Sequence, residues 1–294
     1  MGTDETHRTD WAGLAIGLGA PMAWGMAGIF IRLVEDLPGT LIVATRLFVA
    51  FALFAPALLI RRRHLADALR TPLPLAMAAY YMLATAAFLR APIVNVMLIV
   101  GLSPAIALLI DRLRGISASR VQVAGAAVAL AGLAVFLGPQ EMAPGAWRGA
   151  VLALGAALAS ALYATGLRGH HAAGRRTDPA VLTGLACLYG GVLALAAFFI
   201  LGGSMPATVT AGHAGWLFLL GAVSTAIPTL AFGIASSRLP AVMTTGLMLL
   251  SPVFAGLFGG IWLGEWPAPI ALPGAAIVIF GLFLTTRSAR RPAQ

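Results

Sequence analysis

Apolar residues run almost unbroken along the chain, in stretches of about 20 residues parted by short breaks rich in Arg, Asp, Pro and Gly. Roughly 20 apolar residues of helix cross the hydrocarbon core of a bilayer, and only helices or closed barrels satisfy their backbone there. The pattern therefore predicts ten transmembrane helices over 11–34, 39–60, 72–89, 92–111, 119–137, 147–168, 179–201, 213–236, 240–262 and 267–286. The slightest breaks, Arg90-Ala91-Pro92 and Arg238-Leu239-Pro240, read as tight hairpins, since a single run over 72–111 would be twice a bilayer's thickness. Met1 to Asp10 holds three carboxylates and one Arg, and the apolar run behind it has no small-residue cleavage pattern. It reads as the lead-in to a first membrane helix and not as a signal peptide.

Composition changes the picture little. Of 294 residues, 60% are hydrophobic and 10% charged, with a mean hydropathy of +0.93, which excludes a soluble domain of any size. The fold class expected is all-α integral membrane. A net charge of +9 would suggest nucleic acid in a soluble protein, but here the basic residues flank apolar runs, where they set orientation. All 19 basic residues are Arg. With a cytoplasmic N-terminus, that side holds Arg8, Arg61, Arg62, Arg63, Arg70, Arg112, Arg114, Arg120, Arg168, Arg175, Arg176, Arg238, Arg287, Arg290 and Arg291, whereas the other holds Arg32, Arg90 and Arg148. This bias predicts both termini in the cytoplasm of a multi-pass membrane protein. The lone Cys187 excludes an intrachain disulfide and a Cys-based metal cluster, and it reads as packing. No cofactor and no metal are expected.

The two halves resemble each other. Leu18-Gly19-Ala20-Pro21-Met22-Ala23 matches Leu154-Gly155-Ala156-Ala157-Leu158-Ala159, Leu102-Ser103-Pro104 matches Leu250-Ser251-Pro252, and Gly115, Gly125 and Gly132 match Gly264, Gly274 and Gly281 at one constant offset. That order predicts duplicated five-helix units, 1–138 and 139–294, in one membrane domain. An odd helix count makes the second unit enter from the opposite face, giving the inverted repeat from which alternating access is built. Trp24-Gly25, Arg46-Leu47-Phe48-Val49-Ala50, Leu102-Ser103-Pro104, Ser251-Pro252 and Leu263-Gly264-Glu265 together resemble the drug/metabolite transporter superfamily, in its ten-helix EamA-type branch. With the Tyr80-Tyr81 pair, the chain is most similar within that branch to bacterial YddG-type exporters of aromatic amino acids. The first half carries Gly115-Ile116 where the second has Gly264-Glu265, so the family's acidic residue stands in one half only. The resemblance implies export, and a central cavity lined by helices one, three, four, six, eight and nine.

Candidate substrate-binding residues are the polar and aromatic groups within spans. Tyr80, Tyr81 and Trp24 lie mid-span, far from interfacial belts, and their O–H and N–H groups need partners. Tyr163 lies nearer a helix end, where an interfacial anchor competes as an explanation. Asn95, Ser103, Thr225 and Ser251 add polar atoms, with Met248 beside them. A Ser or Thr hydroxyl often bonds its own preceding turn, whereas an amide in hydrocarbon needs several partners. Pro104 and Pro252 stand at matching mid-helix positions, where each would delete a backbone hydrogen bond, and they read as hinges. Arg46, near the outer gate, is the one charge well inside a span. It is expected to snorkel outward or to pair with Glu35 or Asp36, with anion attraction as the alternative. His170 and His171 lack an accompanying carboxylate cluster, so they read as loop residues.

A cavity expected to be aromatic, Met-containing and uncharged suits small amphipathic solutes, above all amino acids with large apolar side chains. The partners expected are such a small-molecule substrate and the lipid bilayer, with no nucleic acid and a monomer as the working state. A nucleotide-sugar, phosphometabolite or drug carrier of the same superfamily is the first alternative, although phosphate carriers need several cations in the cavity. A membrane-embedded transferase is the second, but every Asp, Glu and His falls in a loop or at a span end, which argues against an enzyme. For the same reason the carrier is expected to be facilitated and not proton-driven.

Overall fold

The computed structural model describes residues 10–137, 146–173, 178–206, 208–238 and 247–287. Its elements, in order, are α1 (Trp11–Gly25), α2 (Ala27–Arg32), α3 (Gly39–Ile60), α4 (Leu65–Leu69), α5 (Leu73–Phe88), α6 (Ile93–Val100), α7 (Ser103–Leu113), α8 (Arg120–Leu137), α9 (Ala146–Ala172), α10 (Pro179–Ile200), α11 (Ala211–Gly221), a π-helical turn (Ala222–Ala226), α12 (Ile227–Arg238), α13 (Ser251–Leu263) and α14 (Leu272–Arg287). Among the described residues there is no strand.

Among the described residues, six helical stretches are long and apolar enough to cross a membrane: Trp11–Arg32, Gly39–Ile60, Ile93–Leu113, Trp147–Leu167, Pro179–Ile200 and Ala211–Ala235. The other four expected spans meet shorter apolar helices, Leu73–Phe88, Arg120–Phe136, Ser251–Leu263 and Pro269–Thr285. Part of the ninth expected span, 240–246, lies outside the described residues.

Local chemistry sets the starts of several helices. The Asp10 carboxylate accepts the Gly13 N–H at 2.9 Å. Asp178 accepts from Ala180 at 2.9 Å and Val181 at 3.3 Å, with Pro179 at the first helical position, where its missing N–H costs nothing. Thr210 and His213 cap α11 reciprocally.

The prolines expected as mid-helix hinges sit otherwise. The fourth span breaks at Gly101-Leu102, so Pro104 becomes the second residue of a new segment, α7, and Pro252 holds the same place in α13 after a break at Leu249-Leu250. The carbonyl that Pro104 leaves open belongs to Val100, and the Ser103 hydroxyl donates to it at 2.6 Å. Ser103 is thereby spent on its own backbone.

Matched positions of the halves behave alike. Gly115 and Gly264 each end a helix with positive φ, 78° and 69°, which glycine adopts without strain. Helices α8 and α14 pack along one another so closely that a Cβ on Gly281 would lie 2.3 Å from the Ala129 nitrogen, and one on Gly125 would lie 2.7 Å from the Gly281 carbonyl oxygen. Gly132 and Gly274 make the reciprocal contact, since a Cβ on Gly274 would lie 2.9 Å from the Gly132 carbonyl oxygen.

The loops are tied at both ends of the bundle. Arg61 pairs with Asp178, and Thr71 meets His170 at 3.1 Å, at the end where α3 finishes. At the Arg32 end, Arg32 lies 3.1 Å from Glu35 and 3.5 Å from Glu265, and His213 lies 3.2 Å from Asp36.

Candidate functional site

A side chain seven residues into α3 organises the interior. Arg46 is 3% exposed and, among the described residues, the one charged side chain in the buried class. The expected escape to the surface does not occur, because α3 turns this position toward α5 and α11–α12. The expected partners are also taken: Glu35 is held by Arg32, and Asp36 by His213. No described carboxylate lies within ion-pair distance of Arg46.

Neutral oxygens surround it. Arg46 Nε donates to Thr225 Oγ1 at 2.7 Å and Nη1 donates to Thr85 Oγ1 at 3.1 Å. Each hydroxyl gives its own hydrogen to a carbonyl of its own helix, Thr225 to Leu220 at 3.0 Å and Thr85 to Tyr81 at 2.9 Å. Both therefore turn lone pairs to the guanidinium. The Cζ atom lies 5.3 Å from the centroid of the Tyr81 ring, and the Tyr80 ring stands 5.2 Å from Tyr81 in an edge-on arrangement. Arginine does not lose its proton in proteins, and a buried charge without a counter-charge carries a penalty of several kcal/mol. The interior is thus not uncharged, as expected from the sequence, but contains one cation held by dipoles and a ring face.

Two local features bring Thr225 to Arg46. Gly221 lets α11 touch the backbone of α3, where a Cβ would meet the Arg46 carbonyl oxygen at 2.7 Å. The turn after it is π-helical over Ala222–Ala226, immediately before the buried Pro228, whose ring would otherwise press on the carbonyl of Ser224. Widening that turn relieves the clash. Among the described residues the Ser224 hydroxyl, 0% exposed, has no hydrogen-bond partner.

Of the residues expected to bind substrate, Tyr80, Tyr81 and Thr225 come together around Arg46. Trp24 lies against Phe232, ring centroids 6.0 Å apart. Tyr163 belongs to a separate apolar cluster with Leu73, Leu182 and Leu185. Asn95 is buried in α6, Ser251 is buried at the start of α13, and Met248 is half-buried just before the break that precedes it. Thr85 and Ser224 were not anticipated. Thr85 stands four residues after Tyr81, on the same face of α5, and that spacing was readable. A cleft of ≈ 610 Å³ opens at the Arg32 end between the start of α3, the end of α5 and Ala194 of α10. It reaches Val43, one turn from Arg46, and Met82, next to Tyr81, with Glu35 and Arg90 in its wall. A second cleft of ≈ 500 Å³, between α6, α8, α13 and α14, is lined entirely by apolar residues such as Leu98, Phe136 and Trp266.

A family model described as "EamA-like transporter family" matches the chain twice, over 11–138 and 147–287. The chain belongs to the EamA-like transporter family. It is a multi-pass membrane protein of a transporter family. A "Probable terminal-alkyne amino-acid exporter" of Streptantibioticus cattleyicolor is 30% identical to this EamA-like chain over 221 residues, covering 72% of it and 70% of that relative. A crystal structure described only as that of a protein superposes with a TM-score of 0.63 at 22% identity, covering 95% of this chain and 98% of the other, which speaks for the fold.

Proposed function

We propose that this EamA-like chain exports amino acids with apolar or aromatic side chains across a bacterial inner membrane by alternating access. The observation that carries the reading is the buried cluster of Tyr80, Tyr81, Thr85 and Thr225 around Arg46. It sets aromatic faces beside a buried cation deep in an apolar bundle, which complements a solute that is apolar at one end and polar at the other. The exporter named for amino acids among its relatives agrees with that solute class.

The architecture proposed is ten helices in two inverted five-helix repeats, 1–138 and 139–294, around a cavity to which Trp24, Asn95, Met248 and Ser251 also contribute. Three observations support it. The family model matches twice, Gly115 and Gly264 end their helices with the same left-handed backbone, and α8 and α14 exchange reciprocal glycine contacts as elements related by a two-fold axis would. Both termini are placed in the cytoplasm on the arginine bias. The described carboxylates, Asp10, Glu35, Asp36, Asp67, Asp111, Asp178 and Glu265, all stand at span ends or in loops, so the solute moves down its own gradient without a proton.

The test is counterflow in liposomes containing the purified chain. Labelled L-phenylalanine or a terminal-alkyne amino acid should enter liposomes preloaded with the unlabelled solute, and an imposed pH gradient without a solute gradient should produce no accumulation. No counterflow of any amino acid sinks the substrate assignment. Accumulation driven by pH and abolished by Asp111→Asn or Glu265→Gln sinks the facilitated mechanism.

A further inference from the structure

We propose that Arg46 is the carboxylate-binding group of the transport site, the point at which a monocarboxylate solute is recognised as an anion. The proposal rests on the export reading and says which end of the solute this chain grips.

Four observations lead to it. Arg46 is 3% exposed, and no described carboxylate neutralises its guanidinium. A permanent charge retained in that position marks a place where an anion is wanted. Its two ligands are hydroxyls already committed to backbone carbonyls through their hydrogens, so they supply lone pairs and no charge. They occupy Nε and Nη1, while Nη2, the nitrogen common to both bidentate edges of a guanidinium, donates no hydrogen bond to the described residues. A carboxylate engaging Nη2 with either neighbour would displace one threonine and bring the missing negative charge.

A route and a moving part accompany the cation. The cleft at the Arg32 end descends to Val43, one turn from Arg46, and to Met82, next to Tyr81 in sequence, with Glu35 and Arg90 both in its wall. Thr225 belongs to the π-helical turn ahead of Pro228, where the register has one residue of slack, so it can withdraw without breaking the helix on either side. The Tyr80 and Tyr81 rings then lie beside the bound carboxylate, where the solute's apolar side chain follows.

The test compares acids with their uncharged amides on the full-length chain in detergent. L-phenylalanine is set against L-phenylalaninamide, and 3-phenylpropionate against 3-phenylpropionamide, with ligand-induced thermal stabilisation as the readout. The native chain should prefer each acid by on the order of 10- to 100-fold in apparent affinity, as expected for a charge-assisted hydrogen-bond pair. Arg46→Gln should abolish that preference, leaving weak, equal binding of acid and amide. Arg46→Lys keeps the charge and loses the fork, so it should keep a reduced preference, and it serves if the Gln variant does not fold. Equal binding of acid and amide by the native chain overturns the proposal, as does an undiminished acid preference in Arg46→Gln or, where only that variant folds, in Arg46→Lys. If 3-phenylpropionate is preferred through Arg46 while no amino acid shows counterflow in liposomes, the carboxylate site stands and the amino-acid reading falls.

Discussion

The carboxylate of Glu265 accepts the backbone N–H of Ile93 at 3.0 Å across 172 residues of sequence, so one half of the chain caps the first turn of α6 in the other. The first N–H groups of a helix have no intrahelical partner, and negative charge is favoured there. Gly264 makes the contact possible. Its left-handed backbone ends α13 and turns Glu265 back, with the Glu265 N–H bonded to the Gly259 carbonyl at 3.1 Å. Arg32 joins from α2, at 3.5 Å from Glu265 and 3.1 Å from the Ala91 carbonyl.

Removing that cap should be felt as stability. Glu265→Ala is expected to cost about 1–2 kcal/mol, the scale of a lost cap, while Glu265→Gln, which keeps an acceptor but not the charge, should cost roughly half as much. Thermal unfolding of the two variants in detergent measures both. Equal stability of Glu265→Ala and the native chain would dismiss the cap.

The α8–α14 contact has no room for a methyl group. Gly281→Ala should destabilise by about 1–3 kcal/mol, because the nearest atoms are backbone and cannot rotate away. Gly19→Ala, on a helical surface with nothing within 4 Å, should be neutral or gain up to ~1 kcal/mol. The difference between the two melting curves is the observable, and it isolates close approach from helix propensity.

The neighbouring tyrosines should separate. Tyr81 is 1% exposed, so Tyr81→Ala leaves a cavity worth about 3–5 kcal/mol and should lower the yield of folded protein. Tyr80 is half-buried, and Tyr80→Ala should reduce transport of aromatic solutes several-fold with less loss of folded protein. Yield and counterflow measured on the same preparations give the ratio. Normal transport by Tyr80→Ala would remove α5 from the solute pathway.

Orientation is checked independently of the solute. Reporters at both termini should be cytoplasmic and one within the 202–212 loop periplasmic in a bacterial host. A periplasmic C-terminus would contradict an even number of crossings and the inverted repeat with it.

Much of this was legible in one dimension because a bilayer imposes a one-dimensional rule: backbone polar groups must be satisfied within each segment, so every crossing shows as an apolar run. The helical class, the apolar runs that became the six long helices, the arginine bias and the matched glycines and Ser-Pro pairs were all present in the order of residues. The fate of individual polar groups was not, because it depends on which helices touch. Arg46 was expected at the surface with Glu35 or Asp36, yet α3 directs it inward and those carboxylates have nearer cations. Ser103 looked available to a solute until the helix broke at Gly101-Leu102 and left it the carbonyl of Val100. Thr85 and Thr225, 140 positions apart, became ligands of one guanidinium only when Gly221 allowed α11 against α3 and the turn before Pro228 widened. Hydrophobicity is a property of each residue and sums along the chain, which is why it reveals the spans, whereas a hydrogen bond between helices exists only once two backbones have come close enough to place donor and acceptor about 3 Å apart.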